Sequence, residues 1–214
     1  MYIEYSSNEF SASPRGARRE IASAAASPHS FQTAKEPEKY RPNLIKITMP
    51  ISKNKNALIV IDVQNYFVNE HTKNIPSRIA SFIQKNKFDF IVFTKFVNHK
   101  NSNFFKLLNW KKCLRSPDTD IHPILEKFVN KSNVFEKAYY SVFKSNKLVK
   151  FLKKNNINNI FLCGIDIDAC VLASAFDGFD SGYKIHILKD LSLSHSGKKL
   201  DTAALKIIKK NLGK

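Results

Sequence analysis

The run Ala57-Leu58-Ile59-Val60-Ile61 contains no polar residue and stops abruptly at Asp62. A continuous apolar stretch of this length reads as a strand buried on both faces, the kind that lies inside a parallel sheet. Similar runs recur at 88–94, 133–137, 160–164 and 184–188. Between them lie stretches with helical spacing. Ile75, Ile79, Phe82 and Ile83 mark a helix over about 72–86, and Leu200, Ala204, Leu205 and Ile208 mark one over 196–212. Further helices are expected at 144–154 and 168–181. A long segment, 96–130, has little periodicity beyond a short helix near 122–129. Alternating strands and helices at this spacing imply parallel strands joined by right-handed crossovers. The expected fold is α/β: a doubly wound, mostly parallel β-sheet in a three-layer α/β/α sandwich.

The first 48 residues follow a different rule. They are rich in Ser, Ala, Pro and Arg, as in Ser11-Ala12-Ser13-Pro14-Arg15, and have almost no apolar periodicity. Residues 1–48 are therefore expected to be a disordered N-terminal extension, apart from a weakly helical stretch at 21–26, with the folded domain at 49–214. Met49 is an alternative start. An organelle leader would suit the Arg, Ser and Ala content, but Glu4, Glu9 and Glu20 count against it. No secretory signal and no membrane-length apolar run are visible. The three cysteines do not form a disulfide pattern, so a cytoplasmic setting is expected.

The formal charge of +17 invites a nucleic-acid reading. Residues 1–48 hold seven basic and five acidic side chains, which leaves +15 on 49–214. These lysines are scattered and interleaved with Asn, as in Lys153-Lys154-Asn155-Asn156. That pattern describes solvated faces rather than a groove, and no nucleic-acid partner is expected.

In open parallel sheets, ligands bind beyond the carboxyl ends of the strands. Three reactive residues fall at such ends: Asp62 after the first strand, Lys137 at the third, and Cys170 at the helix after the fourth. Asp166 or Asp168 is able to cap that helix. A thiol in a first helical turn, near a lysine, is expected to ionise more readily than a free one. The same turn offers backbone N–H groups to an oxyanion. Position alone leaves a second reading open, in which Cys170 is a small buried hydrophobe and Lys137 a surface lysine. Asp62 beside a thiol is suited to act as its base if a cation accompanies it.

These segments resemble the isochorismatase-like cysteine hydrolases. The likeness rests on 57–67 (ALIVIDVQNYF), 135–143 (FEKAYYSVF) and 161–171 (FLCGIDIDACV), followed by Asp177, Gly182-Tyr183 and Asp190. The resemblance implies a catalytic triad of Asp62 as base, Lys137 as electrostatic partner and Cys170 as nucleophile, passing through an acyl-enzyme. It also implies a cis peptide at Ile165–Asp166, with the N–H groups of Asp166 and Cys170 forming an oxyanion hole. Members of the family commonly assemble as dimers or tetramers.

Two departures from the family pattern stand out. Asp166 and Ile167 stand where a small residue and Thr are usual, and an extra carboxylate opposes ionisation of the thiol. The family's nicotinamidases carry an Asp-x-His metal motif and a further His after the second strand. Here Thr94-Lys95-Phe96-Val97-Asn98-His99 lacks that Asp, and His99 reads as a loop residue. No metal, no cofactor and no nicotinamidase activity are expected.

The family's vinyl-ether hydrolases often lack the cysteine, so its presence favours a small-molecule amide or imide C–N bond. The alternatives are an isochorismatase-type ether hydrolase and a non-catalytic basic binding protein on the same fold. Phe67, Tyr140 and Trp110 are candidates for the substrate pocket. Cys163 reads as core packing, and Cys113 has no visible partner.

Overall fold

The computed structural model describes residues 55–213. The expectations for 1–48 and for Met49 as a start lie outside the described residues. Strand β1 (Lys55–Ile61) is followed by α1 (Ile75–Lys85), β2 (Phe90–Phe96) and two short helices, α2 (Asn103–Lys106) and α3 (Pro123–Glu126). Then come β3 (Val134–Lys137), α4 (Asn146–Lys154), β4 (Ile157–Gly164), α5 (Leu172–Asp180), β5 (Lys184–Ser192) and α6 (Lys198–Asn211). The five strands run in the order β3-β2-β1-β4-β5, and every pair is parallel. This is the doubly wound α/β fold.

Strand β1 lies at the centre and has its apolar run buried throughout. Its side chains alternate between two cores. Leu58 and Val60 join Ile75, Ile79 and Phe82 of α1 on one face. Ala57, Ile59 and Ile61 join Leu148 and Leu152 of α4 and Ala175 of α5 on the other. A strand with period-two alternation and no polar face needs both layers, because either face left wet would expose large aliphatic area.

The chain reverses winding direction between β1 and β4, whose ends are locked together. Ile61 pairs with Gly164, and the Ile165 N–H donates to the Ile61 carbonyl at 2.9 Å. Gly164 sits at φ +124°, and a Cβ there would lie 2.1 Å from the Ile61 carbonyl oxygen. Only glycine permits that approach.

Two boundaries differ from the sequence reading in ways that matter to the site. Strand β2 runs on to Phe96, because its apolar alternation continues past Thr94. The helix expected from 168 begins only at Leu172; before it, Ile167–Val171 form a wide π-type turn in which the Val171 N–H reaches back to the Asp166 carbonyl at 2.9 Å. Segment 96–130 is organised by side-chain bonds to backbone. Gln64, fully buried, donates to the Phe96 and Thr119 carbonyls at 3.0 and 2.8 Å and accepts from the Phe96 N–H at 2.7 Å. Asn98 donates to the Trp110 and Lys112 carbonyls at 2.7 and 3.1 Å.

Candidate active site

The carboxyl ends of β1, β2, β3 and β4 converge on one buried cluster. Asp62 leaves β1 at φ +49°, which turns its side chain out of the strand line. Its Oδ1 accepts from the Thr94 hydroxyl of β2 at 2.7 Å. Its Oδ2 lies 2.6 Å from the Lys137 ammonium, and both side chains are wholly buried. Lys137, on edge strand β3, extends across the end of β2, its ammonium 5.3 Å from the centre of the Phe96 ring. It donates to the Tyr139 carbonyl at 2.8 Å and to Cys170 Sγ at 3.5 Å. The three residues singled out in the sequence are thus brought together by a lysine long enough to span the intervening strand.

Cys170 lies in the π-type turn rather than in the first turn of α5. Ser174 fixes this turn by donating to the Cys170 carbonyl at 2.6 Å while accepting the Val142 N–H at 3.0 Å. The Ile165–Asp166 peptide is cis. Neither expected cap is made: the Asp166 side chain does not cap the turn but binds His195.

The electrostatics also depart from the expectation of an acidified thiol. Burial pushes Cys170 up to about 12; Lys137 pulls it down, while Asp62 and Asp166 push it further up. Burial would lower the Lys137 ammonium, but its partners, Asp62 above all, outweigh it and hold it above the ordinary lysine range. The carboxylate has already claimed the nearby cation, so the lysine stabilises Asp62 before it can stabilise a thiolate. These causes together favour the thiol over the thiolate beside the Asp62–Lys137 contact.

A cavity of about 320 Å³ opens over Cys170. Phe67, Trp110 and Tyr140 line it, as do Asp166 and Asp168. The lining also includes residues that were not foreseen, among them Phe96, Phe104 and His195. Phe96 and Phe104 meet edge to face at 4.7 Å, and Phe104 meets Tyr140 at the same distance. His195 follows β5, so the rule that selected Asp62 and Cys170 would have selected it too. Phe104 sits on α2, within the segment that lacks readable periodicity. Thr94 was hidden because a strand threonine reads as an ordinary β-former.

The metal donors of the family's nicotinamidases have no counterpart at the end of β2. Phe96 presents a ring there, Asn98 is 2% exposed with its amide spent on backbone, and His99 is exposed. Among the described residues no cluster of three His, Cys, Asp or Glu side chains is placed to hold a metal ion. Cys163 is fully buried in β4, and Cys113 is buried with its thiol directed to the Phe96 carbonyl at 3.4 Å.

A family model described as the isochorismatase domain matches residues 56–214. Isochorismatase family protein 2A of Dictyostelium discoideum is 24% identical over 152 residues, which is 67% of this chain and 69% of that protein. Isochorismatase family protein 1A of the same organism is 36% identical over 69 residues, so the chain spans about a third (33%) of its length there. Among solved structures, the nicotinamidase PncA from Bacillus subtilis superposes with a TM-score of 0.63 at 27% identity, over 74% of this chain and 97% of that one.

Proposed function

The chain belongs to the isochorismatase family and is a hydrolase; from that premise we propose that it cleaves a small-molecule amide- or imide-type C–N bond through a Cys170 acyl-enzyme. The observation that carries this reading is the contact of one buried ammonium with both Asp62, at 2.6 Å, and Cys170, at 3.5 Å, beneath an aromatic cavity. The likeness to a nicotinamidase supports amide chemistry. The Phe96–Asn98 strand end argues for a substrate other than nicotinamide.

Because the thiol is neutral at rest, attack and deprotonation are coupled. The Cys170 sulfur forms a bond to the substrate carbonyl carbon while its proton passes to the Asp62 carboxylate. The carbonyl π electrons move to oxygen, and the N–H groups of Asp166 and Cys170 stabilise that oxyanion. Collapse breaks the C–N bond, and Asp62 returns the proton to the leaving nitrogen. Water then attacks the thioester with Asp62 again accepting a proton, and Cys170 leaves as the thiol. Lys137 stays protonated throughout and holds the Asp62 carboxylate in place through their 2.6 Å contact. The cavity binds a small planar substrate against its aromatic walls; no cofactor takes part. The proposed domain is residues 49–214; its described part, 55–213, contains every group the cycle uses, and a dimer or tetramer is the proposed assembly.

A panel of small amides, imides and carbamates tests the mechanism. Wild type should turn over at least one of them, and Cys170→Ala should lower kcat by roughly 10³-fold or more. Turnover undiminished in Cys170→Ala would refute the acyl-enzyme.

A further inference from the structure

Asp166 is a liability as well as a member of the turn. Its side chain is 10% exposed, it lies four residues before the nucleophile, and its charge disfavours ionisation of Cys170. The structure offsets this from the other side of the cavity. His195, in the segment after β5, takes both oxygens of that carboxylate: its backbone N–H donates to Oδ1 at 2.7 Å, and its Nδ1 lies 2.6 Å from Oδ2. His195 is itself held, with Asn69 Nδ2 donating to its carbonyl at 2.7 Å and the Phe67 ring edge-on at 5.6 Å. Two-point capture of a carboxylate fixes both its position and its charge state.

The charged surroundings of His195 favour the imidazolium. Asp166 and Asp168 face it from the turn after β4, and the bond to Asp166 raises its pKa above the ordinary histidine value despite burial. From the segment after β1 it meets the Tyr66 and Phe67 rings and the Asn69 amide. On the α6 side, Asp201 is engaged by His71 at 2.7 Å and by the Ser194 N–H at 2.6 Å.

We propose that His195 is a positioning residue for the nucleophile turn: as the imidazolium it holds and balances the Asp166 carboxylate, so that negative charge is able to develop on the Cys170 sulfur and on the oxyanion beside it. This rests on the nucleophile reading above. It makes Asp166 and His195 a coupled pair: the carboxylate that departs from the family pattern is tolerated because this histidine answers it.

The test is the rate at which iodoacetamide modifies Cys170 in the full-length chain, read by mass spectrometry of its peptide. His195→Gln should slow modification by about tenfold, the cost of about one pKa unit at the sulfur. His195→Arg, which keeps a cation there, should recover most of the wild-type rate. In an Asp166→Ala background, His195→Gln should change the rate far less, because the carboxylate that His195 holds is gone and only the charge of Asp168, to which it makes no bond, still faces it. A merely structural histidine would slow the reaction equally in both backgrounds, and that result overturns the inference. A reactive Cys170 indifferent to His195 overturns it alone, whereas a wild-type Cys170 that never reacts overturns the nucleophile reading as well. Variants are compared after matching circular dichroism spectra; if His195→Gln does not fold, the His195→Arg rate in both backgrounds carries the same comparison.

Discussion

At the scale of single residues, Thr94 decides which way Asp62 faces. Its hydroxyl donates to Oδ1 at 2.7 Å and accepts the Asp62 N–H at 3.3 Å, leaving Oδ2 turned toward Lys137. Hydrogen bonds to a charged group contribute roughly 1.5–3 kcal/mol. Thr94→Val keeps the shape and removes both bonds, so kcat should fall by about ten- to a hundredfold with KM little changed. Steady-state kinetics on any substrate from the amide panel checks this, and a kcat within twofold of wild type would show that Asp62 needs no such orientation. The acid itself was legible in the sequence, since an unbroken apolar strand seldom ends on a carboxylate without reason. Its partner was not: nothing in a one-dimensional pattern distinguishes a threonine that packs from one that aims a base. The thiol was misjudged for a related reason. A first-turn cysteine near a lysine reads as acidified, yet that lysine is already spent on Asp62 and burial dominates.

At the scale of elements, the site depends on how closely β1 and β4 approach. The Ile61–Gly164 register brings Asp62 and the turn bearing Cys170 to adjacent positions. Gly164→Ala would place a methyl group 2.1 Å from the Ile61 carbonyl at a φ of +124°. Strand separation at the point of catalysis is the expected outcome, with a loss of at least about 3 kcal/mol in urea-unfolding stability. A variant with wild-type stability would mean that the two strand ends are able to part freely. The strands and most helices were readable because their apolar periods are unbroken. The π-type turn at Ile167–Val171 was not, since its sequence is also a good helix start. The Phe104 helix escaped notice because four residues carry less than a full amphipathic repeat.

At the scale of the whole molecule, the enclosed thiols couple stability to pH. Burial raises Cys163 well above the ordinary thiol range and is the main cause that takes Cys113 and Cys170 to about 12. In the unfolded chain all three ionise near pH ~8.5. Above that pH the unfolded state binds fewer protons than the folded state, so stability falls as pH rises. Each thiol adds a slope of up to about 1.4 kcal/mol per pH unit. The raised Tyr140, Tyr183 and Lys137 act in the same direction, but only as pH approaches their unfolded values of about 10 and 10.4, so the cysteines dominate the lower part of the window, from about pH 8.5 to 9.5. Urea unfolding across that window should show the decline, and Cys163→Ala should remove one thiol's share of the slope whatever its effect at neutral pH. A slope unchanged in that variant would contradict the enclosure of Cys163.

The α/β fold and the Asp62 and Cys170 positions were set by local pattern, because burial on two faces leaves an uninterrupted apolar signature and the ends of such strands are where polar chemistry begins. Lys137 looks like one lysine among many until β2 is seen to lie between it and Asp62, with its ammonium passing over Phe96. The pairing of Asp166 with His195, the aim of Thr94 and the neutral state of the thiol are likewise tertiary facts. They join residues 29 to 75 positions apart, and their energies depend on which charge is nearest in space. No spacing along a chain encodes that.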